Sequence, residues 1–238
     1  MATLSFTIPA YNEEETIAEV VREFAAHETV DRVVVVDNNC RDRTAERARG
    51  AGAEVVAESA PGYGSAIRAG LDHAAATGGG ILVVTEADGS FRAQDLWKLL
   101  HYLVDCRMVL GTRTTRQMVQ QGANMHKLLR WGNVGMAKLL ELFWYLPHEP
   151  RLTDVGCTYR ALWAETWTAI RERTRERGPA FSPEMICAAY QLGLRVIEIP
   201  VHYGARLGGD SKHSDSFPKV ARTALRMFRT ICRKRFLG

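Results

Sequence analysis

The chain has 238 residues, of which 46% are hydrophobic and 24% charged, with a formal net charge of +4. Those are ordinary globular values, enough for one sizeable core with an appended subdomain, and they exclude an intrinsically disordered chain. No stretch reaches the roughly eighteen uninterrupted apolar residues of a spanning helix, and residues 1–15 lack a basic segment followed by a long apolar one, so a cytoplasmic protein is expected.

Along the first half, apolar runs at 4–8, 33–36, 54–57, 81–84 and 108–110 read as strands. Between them lie amphipathic segments near 15–27, 43–51, 64–76 and 93–104. Repeated strand–helix units imply an α/β fold, with a mostly parallel sheet flanked by helices. The second half is less regular. It predicts a long helix over 125–146, a strand over 157–162, a helix over 183–192, a strand over 195–202 and a last helix over 217–236.

In open α/β sheets, ligands gather beyond the carboxyl ends of parallel strands. Three predicted strands end there in carboxylates or aromatics. The first runs into Pro9, Tyr11, Asn12 and Glu13, which suit a nucleobase and a sugar. The second ends at Asp37, placed to accept hydrogen bonds from a ribose or base, while Asp42 or Thr44 caps the next helix. The fourth runs straight into Glu86, Ala87, Asp88, Gly89 and Ser90. Two hard oxygen ligands at that spacing suit Mg²⁺ or Mn²⁺, which bridge carboxylates to substrate phosphates. Gly62-Tyr63-Gly64 opens a helix whose free N–H groups suit phosphate, although Ile67 breaks the dinucleotide fingerprint. The five cysteines are scattered without a C-x-x-C pair and the seven histidines show no metal spacing, which leaves packed thiols and structural imidazoles.

The series TIPAYNEEETI, VVVVDNNCRDRT, GYGSAIRAGL, TEADGS, LGTR, TDVGCTYRAL and ARLGGDSK covers nearly the whole chain in order. It resembles the family 2 glycosyltransferases, in particular their dolichol-phosphate mannose synthase-like branch. The resemblance implies a GT-A fold, a nucleoside-diphosphate sugar donor, a divalent metal and transfer with inversion. Carried onto these positions, it implies that Pro9, Tyr11, Glu13, Asp37, Gly64, Glu86, Ala87, Asp88 and Ser211 bind donor. Asp88 and Glu86 would hold metal, with Glu86 standing where the family has Asp. Arg113, Arg206 and Lys212 would meet phosphates, the last two from a mobile glycine-rich lid, and Asp154 would be the acceptor-side general base if the acceptor is a hydroxyl. Glu184 is an alternative base or a first-turn helix carboxylate.

These expectations divide the chain into a glycosyltransferase domain over 1–216, with a nucleotide-sugar half at 1–113 and an acceptor half at 114–216, followed by a helix at 217–238. That helix places Phe217, Val220, Ala224, Leu225, Phe228, Ile231 and Phe236 on one side and Arg222, Arg226, Arg229 and Arg233 on another. A basic amphipathic helix fits an anionic membrane surface, and hence a polyprenyl phosphate acceptor, or else it packs on the domain and the acceptor is a soluble sugar or natural-product hydroxyl. Rival readings are a sugar-1-phosphate nucleotidyltransferase, disfavoured by PAYNEEE after the first strand, and a nucleotide-sugar-binding pseudoenzyme. No nucleic-acid motif accompanies the basic tail.

Overall fold

The computed structural model describes residues 2–120, 123, 127–145, 151–208 and 217–237. Strands β1 (Leu4–Ala10), β2 (Arg32–Asp37), β3 (Glu54–Ala57), β4 (Ile81–Val84), β5 (Met108–Thr112), β6 (Arg160–Trp163) and β7 (Val196–Pro200) form one sheet in the order β3-β2-β1-β4-β6-β5-β7. The helices are α1 (Ile17–Ala25), α2 (Thr44–Gly50), α3 (Tyr63–Ala76), α4 (Leu96–Leu103), α5 (Lys127–Phe143), α6 (Ala164–Ile170), α7 (Phe181–Gln191) and α8 (Phe217–Phe236).

The continuous apolar runs of β1, β2 and β4 are central because strands buried on both faces need no alternation. β3 carries exposed Glu54 and Ala57 and closes one edge. The sheet is mostly parallel with one reversal: β6 enters between β4 and β5, antiparallel to both, with Leu82 opposite Leu162 and Val84 opposite Arg160. The predicted strand at 157–162 thus begins later, and α6 follows it directly.

Period-two alternation sends side chains to two cores. Phe6, Ile8, Val83 and Val109 meet α1 and α4 through Ile17, Phe24, Leu96 and Leu99. On the opposite face Leu82, Val84, Leu110 and Leu162 meet α3, α6 and α7 through Leu71, Trp167, Phe181 and Ile186. Each such side chain, fully buried, contributes about 1.5–3 kcal/mol. Gly70 lets α3 lie close to the sheet, since a Cβ there would fall 2.3 Å from Thr7 Cγ2 and 2.8 Å from Val36 Cγ2.

Helix α8 docks on α5 and α7 by charge as much as by apolar burial. The Glu176 carboxylate accepts from Arg226 Nε at 2.9 Å, Arg233 Nη2 at 3.0 Å and Thr230 Oγ1 at 3.1 Å. Ile231 is buried and the Phe236 ring meets Phe143 edge-on at 5.3 Å. The single apolar side expected for this helix is therefore divided: Ile231 faces the domain, whereas Leu225 and Phe228 face outward beside exposed Arg222 and Arg229. Arg226 and Arg233, expected on the solvated side, are ion-paired.

Glu184 lies under this junction, fully buried. Its Oε2 accepts the backbone N–H groups of Arg175 and Glu176, both at 2.7 Å, and its Oε1 stands 3.2 Å from Lys234 Nζ. It thus serves as a structural carboxylate at the α7–α8 junction. Glu184→Ala removes the acceptor of two part-buried N–H groups and the buried partner of Lys234, so it should lower unfolding free energy by about 3 kcal/mol, measured by urea denaturation.

Candidate active site

β1 and β4 are parallel neighbours, so the loops that leave their carboxyl ends meet. After β1 the chain turns through Asn12 at φ 52°, which presents Tyr11 to the surface and returns Glu13 inward. The Glu13 N–H donates to Thr44 Oγ1 at 2.8 Å, and Asp42 accepts the Thr44 N–H at 3.0 Å as a helix-start capping group should. After β4, Gly89 turns at φ 73°, where a Cβ would strike Leu207. Thr16 Oγ1 donates to the Ala87 carbonyl at 2.7 Å and locks the two loops together.

Asp88 is 3% exposed. Its Oδ1 accepts Ser90 N–H at 2.9 Å and Ser90 Oγ at 2.6 Å, and its Oδ2 accepts Arg206 Nη1 at 2.7 Å. The Arg206 Nη2 reaches both Glu13 oxygens, at 3.1 and 3.2 Å. One guanidinium therefore joins a β1-loop carboxylate to a β4-loop carboxylate across most of the sequence. Its strap is held by backbone bonds from Leu207 N–H to the Asp88 carbonyl at 2.9 Å and from Gly204 N–H to the Ser90 carbonyl at 2.8 Å. Ser211 and Lys212, expected on the same strap, lie outside the described residues.

Glu86 accepts Thr158 Oγ1 at 2.7 Å, and Thr158 in turn meets the Tyr63 hydroxyl. Burial, then the charge of Asp88, pushes the Glu86 carboxyl up to about 7, against the opposing pull of Arg113 and Arg206.

Arg113 and Asp154 form a buried bidentate pair: Nε to Oδ2 at 2.8 Å and Nη2 to Oδ1 at 3.0 Å, with the Arg113 N–H on Oδ2 at 3.1 Å. Burial alone would lower the guanidinium, but Asp154 more than offsets this and holds it well above its ordinary value. Behind the pair, Glu198 accepts the Asp154 N–H at 2.9 Å and fixes the loop. Burial raises the Glu198 carboxyl despite those hydrogen bonds.

A cavity of about 720 Å³ runs over these groups. At one end its wall is Pro9, Tyr11, Glu13, Glu86, Ala87, Asp88 and Arg206, with Arg113 farther in. At the other end it continues between α5 and α8, along Leu129, Met136, Val220 and Met227. Three residues singled out in the sequence are placed differently from their expected roles. Asp154 is outside the wall, with both oxygens engaged by Arg113 and Gly156. Asp37 is also outside it, accepting the Cys40 N–H at 2.9 Å, while Asn38 and Asn39 take the wall position. The Gly64 N–H is occupied by the Arg177 carbonyl at 2.8 Å, and a Cβ at Gly64 would meet the Glu176 carbonyl at 2.3 Å, so this glycine serves close packing.

Sequence reasoning passed over Asn38, Tyr63, Thr158 and Asn133, all in the wall. Asn38 builds the neighbouring loop, donating to the Glu58 and Ala60 carbonyls at 2.9 and 2.8 Å and accepting the Gly62 N–H at 2.9 Å. Its position directly after the Asp that ends β2 was the available signal.

Among the described residues no group of three His, Cys, Asp or Glu side chains could hold a metal by itself. Asp88, with Glu86 one residue removed, nevertheless offers hard oxygens at the cavity floor. That donor set fits a Mg²⁺ or Mn²⁺ ion that draws its remaining ligands from water and substrate phosphate.

The model of the family described as glycosyl transferase family 2 matches residues 5–166. An uncharacterized glycosyltransferase of Mycobacterium tuberculosis is 36% identical over 216 residues, 90% of each chain. The undecaprenyl-phosphate mannosyltransferase of Micrococcus luteus is 29% identical over 217 residues, 87% of this chain and 86% of that protein. Among solved structures, glucosyl-3-phosphoglycerate synthase from Mycobacterium tuberculosis, in complex with Mn²⁺, UDP-glucose and phosphoglyceric acid, superposes with a TM-score of 0.77 at 20% identity, covering 100% of this chain and 81% of that one. The likeness shows the GT-A-like arrangement of the sheet and its helices. With the family match spanning the sheet from β1 to β6 and the loops that carry Glu13, Glu86, Asp88, Arg113 and Asp154, the chain belongs to glycosyltransferase family 2 and is a glycosyltransferase.

Proposed function

We propose that this enzyme transfers a hexose, with inversion, from a nucleoside-diphosphate sugar to a polyprenyl phosphate. The observation that carries the reading is the continuity of one cavity from the acidic strand ends to the apolar walls of α5 and α8. A wholly polar acceptor has no use for Leu129, Met136, Val220 and Met227, whereas an isoprenoid chain does. The names of two relatives point the same way: the Micrococcus luteus mannosyltransferase and the dolichyl-phosphate hexose transferase of Haloferax volcanii, 28% identical over 221 residues.

In this reading Pro9 and Tyr11 receive the nucleobase, and Glu13, with Asn38 and Asn39 in the same wall, the nucleoside. Asp88 and Glu86 hold Mg²⁺ or Mn²⁺, which when bound neutralises the donor diphosphate. Arg206, with Ser211 and Lys212 following it in sequence, stabilises the negative charge that grows on the leaving diphosphate. An acceptor phosphate is already ionised at neutral pH and needs positioning rather than deprotonation. Asp154 accordingly acts through Arg113, fixing the guanidinium that faces the acceptor, and the reaction calls for no general base.

The same reading places the protein peripherally on the inner face of a membrane. No helix of the described residues is long and apolar enough to cross one. On α5 and α8, which also line the cavity, Trp131, Leu142, Leu225, Phe228 and Phe236 are however exposed, as are Arg222, Arg229 and Arg235. Helices that show aromatic and aliphatic side chains together with guanidinium groups match an anionic interface.

Asp88→Asn should reduce nucleoside diphosphate release more than 100-fold while the circular dichroism spectrum and thermal midpoint stay close to wild type. Turnover within about tenfold of wild type at limiting Mn²⁺ would remove Asp88 from the donor site. The membrane reading is checked by flotation with vesicles containing phosphatidylglycerol. The wild-type chain should float at low salt and be released as ionic strength rises. The exposed double variant Leu225→Glu/Phe228→Glu should stay at the bottom while still using a short-chain prenyl phosphate in detergent. Undiminished flotation of that variant, or transfer to soluble hydroxyl acceptors alone, would overturn the peripheral, lipid-linked reading and leave the family assignment intact.

A further inference from the structure

We propose that Asn133, facing Arg113 across Gly156, is the seat of the acceptor's phosphate group. The inference rests on the polyprenyl phosphate reading above and names a residue and a position within that site. Asn133 is 7% exposed, lies in the cavity wall, and its amide makes no hydrogen bond to any described residue. Its amide is not sealed inside the protein but opens on the cavity, where a ligand can supply the partner that the described residues do not. On α5 it stands between Leu129 and Met136, four residues before and three after, which line the same cavity as one helical stripe. It is thus a single amide in a stripe whose flanking members are apolar.

Arg113 supplies the second half. Its side-on pairing with Asp154 uses Nε and Nη2, and Nη1 is hydrogen-bonded to no described residue although the guanidinium also lines the cavity. The two groups are neighbours beside Gly156, where a Cβ would lie 2.9 Å from Asn133 Oδ1 and 3.4 Å from Arg113 Nη2. A glycine at 156 spares the amide that contact, and turning the amide by half a rotation about its last bond presents Nδ2 in place of Oδ1. An amide N–H and a guanidinium N–H that line one cavity beside the same glycine suit the oxygens of a tetrahedral anion.

Position selects the acceptor over the donor. The donor diphosphate belongs beside Asp88 and Arg206, whereas Asn133 lies on α5, the helix that gives Leu129 and Met136 to the same cavity. An amphiphile lying with its chain along Leu129, Met136 and Met227 would bring its head group to this point.

The test uses the full chain and three probes, titrated calorimetrically: farnesyl phosphate, farnesol, and UDP with Mn²⁺. Asn133→Asp sets a carboxylate against the phosphate and should weaken farnesyl phosphate about tenfold or more, with Asn133→Ala showing a smaller loss. Farnesol and UDP should bind within about twofold of wild type, and the thermal midpoint should not move, which a merely structural role for Asn133 would not deliver. Farnesyl phosphate affinity within twofold of wild type in both variants, or losses shared equally by farnesol or UDP, overturns the proposal while leaving the acceptor reading in place. Wild-type protein that binds farnesyl phosphate no better than farnesol overturns both.

Discussion

Carboxylates gathered at the end of an apolar sheet must be balanced by positive charge, and the rest of the architecture follows from how that balance is met. Glu13, Glu86 and Asp88 come together because β1 and β4 are parallel neighbours. Their balance comes from distant segments: Arg206 follows β7, and Arg113 follows β5. Arg113 also faces the Tyr203 ring at 5.2 Å, within cation–π range, which ties its charge to the strap that carries Arg206. Local strand–helix units thus acquire long-range ties exactly where chemistry is required of them, and the reversed strand β6 is the device that puts β5 and β7 within reach.

The first half of the fold is readable because each strand is built on a short apolar run and amphipathic segments separate them. β3 and β4 begin and end where the periodicity said. The second half was harder for a physical reason. β6 carries Arg160, whose fully buried guanidinium donates to the Ser182 carbonyl at 3.0 Å and to the Cys157 carbonyl, with no carboxylate hydrogen-bonded to it among the described residues. A buried cation satisfied by backbone oxygens blurs the start of a strand in a hydropathy pattern, so β6 begins three residues later than expected, and its direction cannot be read from composition at all.

The site divides the same way. Glu13, Asp88 and Arg206 were found from strand ends and motif order, and they do meet. Asp154 was read as an acceptor-side base because a lone acidic residue in a motif carries no sign of its partner; only the fold brings Arg113 onto both its oxygens. Gly64 was read as a phosphate-facing glycine because a glycine that permits close packing and one that bares an N–H are the same letter. Asn38 and Asn133 drew no notice because an amide has no charge to stand out, yet each lines the cavity, one fully bonded and one not.

The contact between Arg206 and Asp88 gives the proposed reaction its order. In the structure one guanidinium satisfies Asp88 and Glu13 together. Arg206 serves the leaving diphosphate only if its hydrogen bonds move from those carboxylates to phosphate oxygens, which requires that Asp88 find another cation at the same moment. A nucleoside diphosphate arriving with its divalent ion meets both requirements at once, whereas either alone meets one. Burial raises the cost of leaving Asp88 or Arg206 unpaired part-way, so exchange of partners favours the complete donor complex over partial ones.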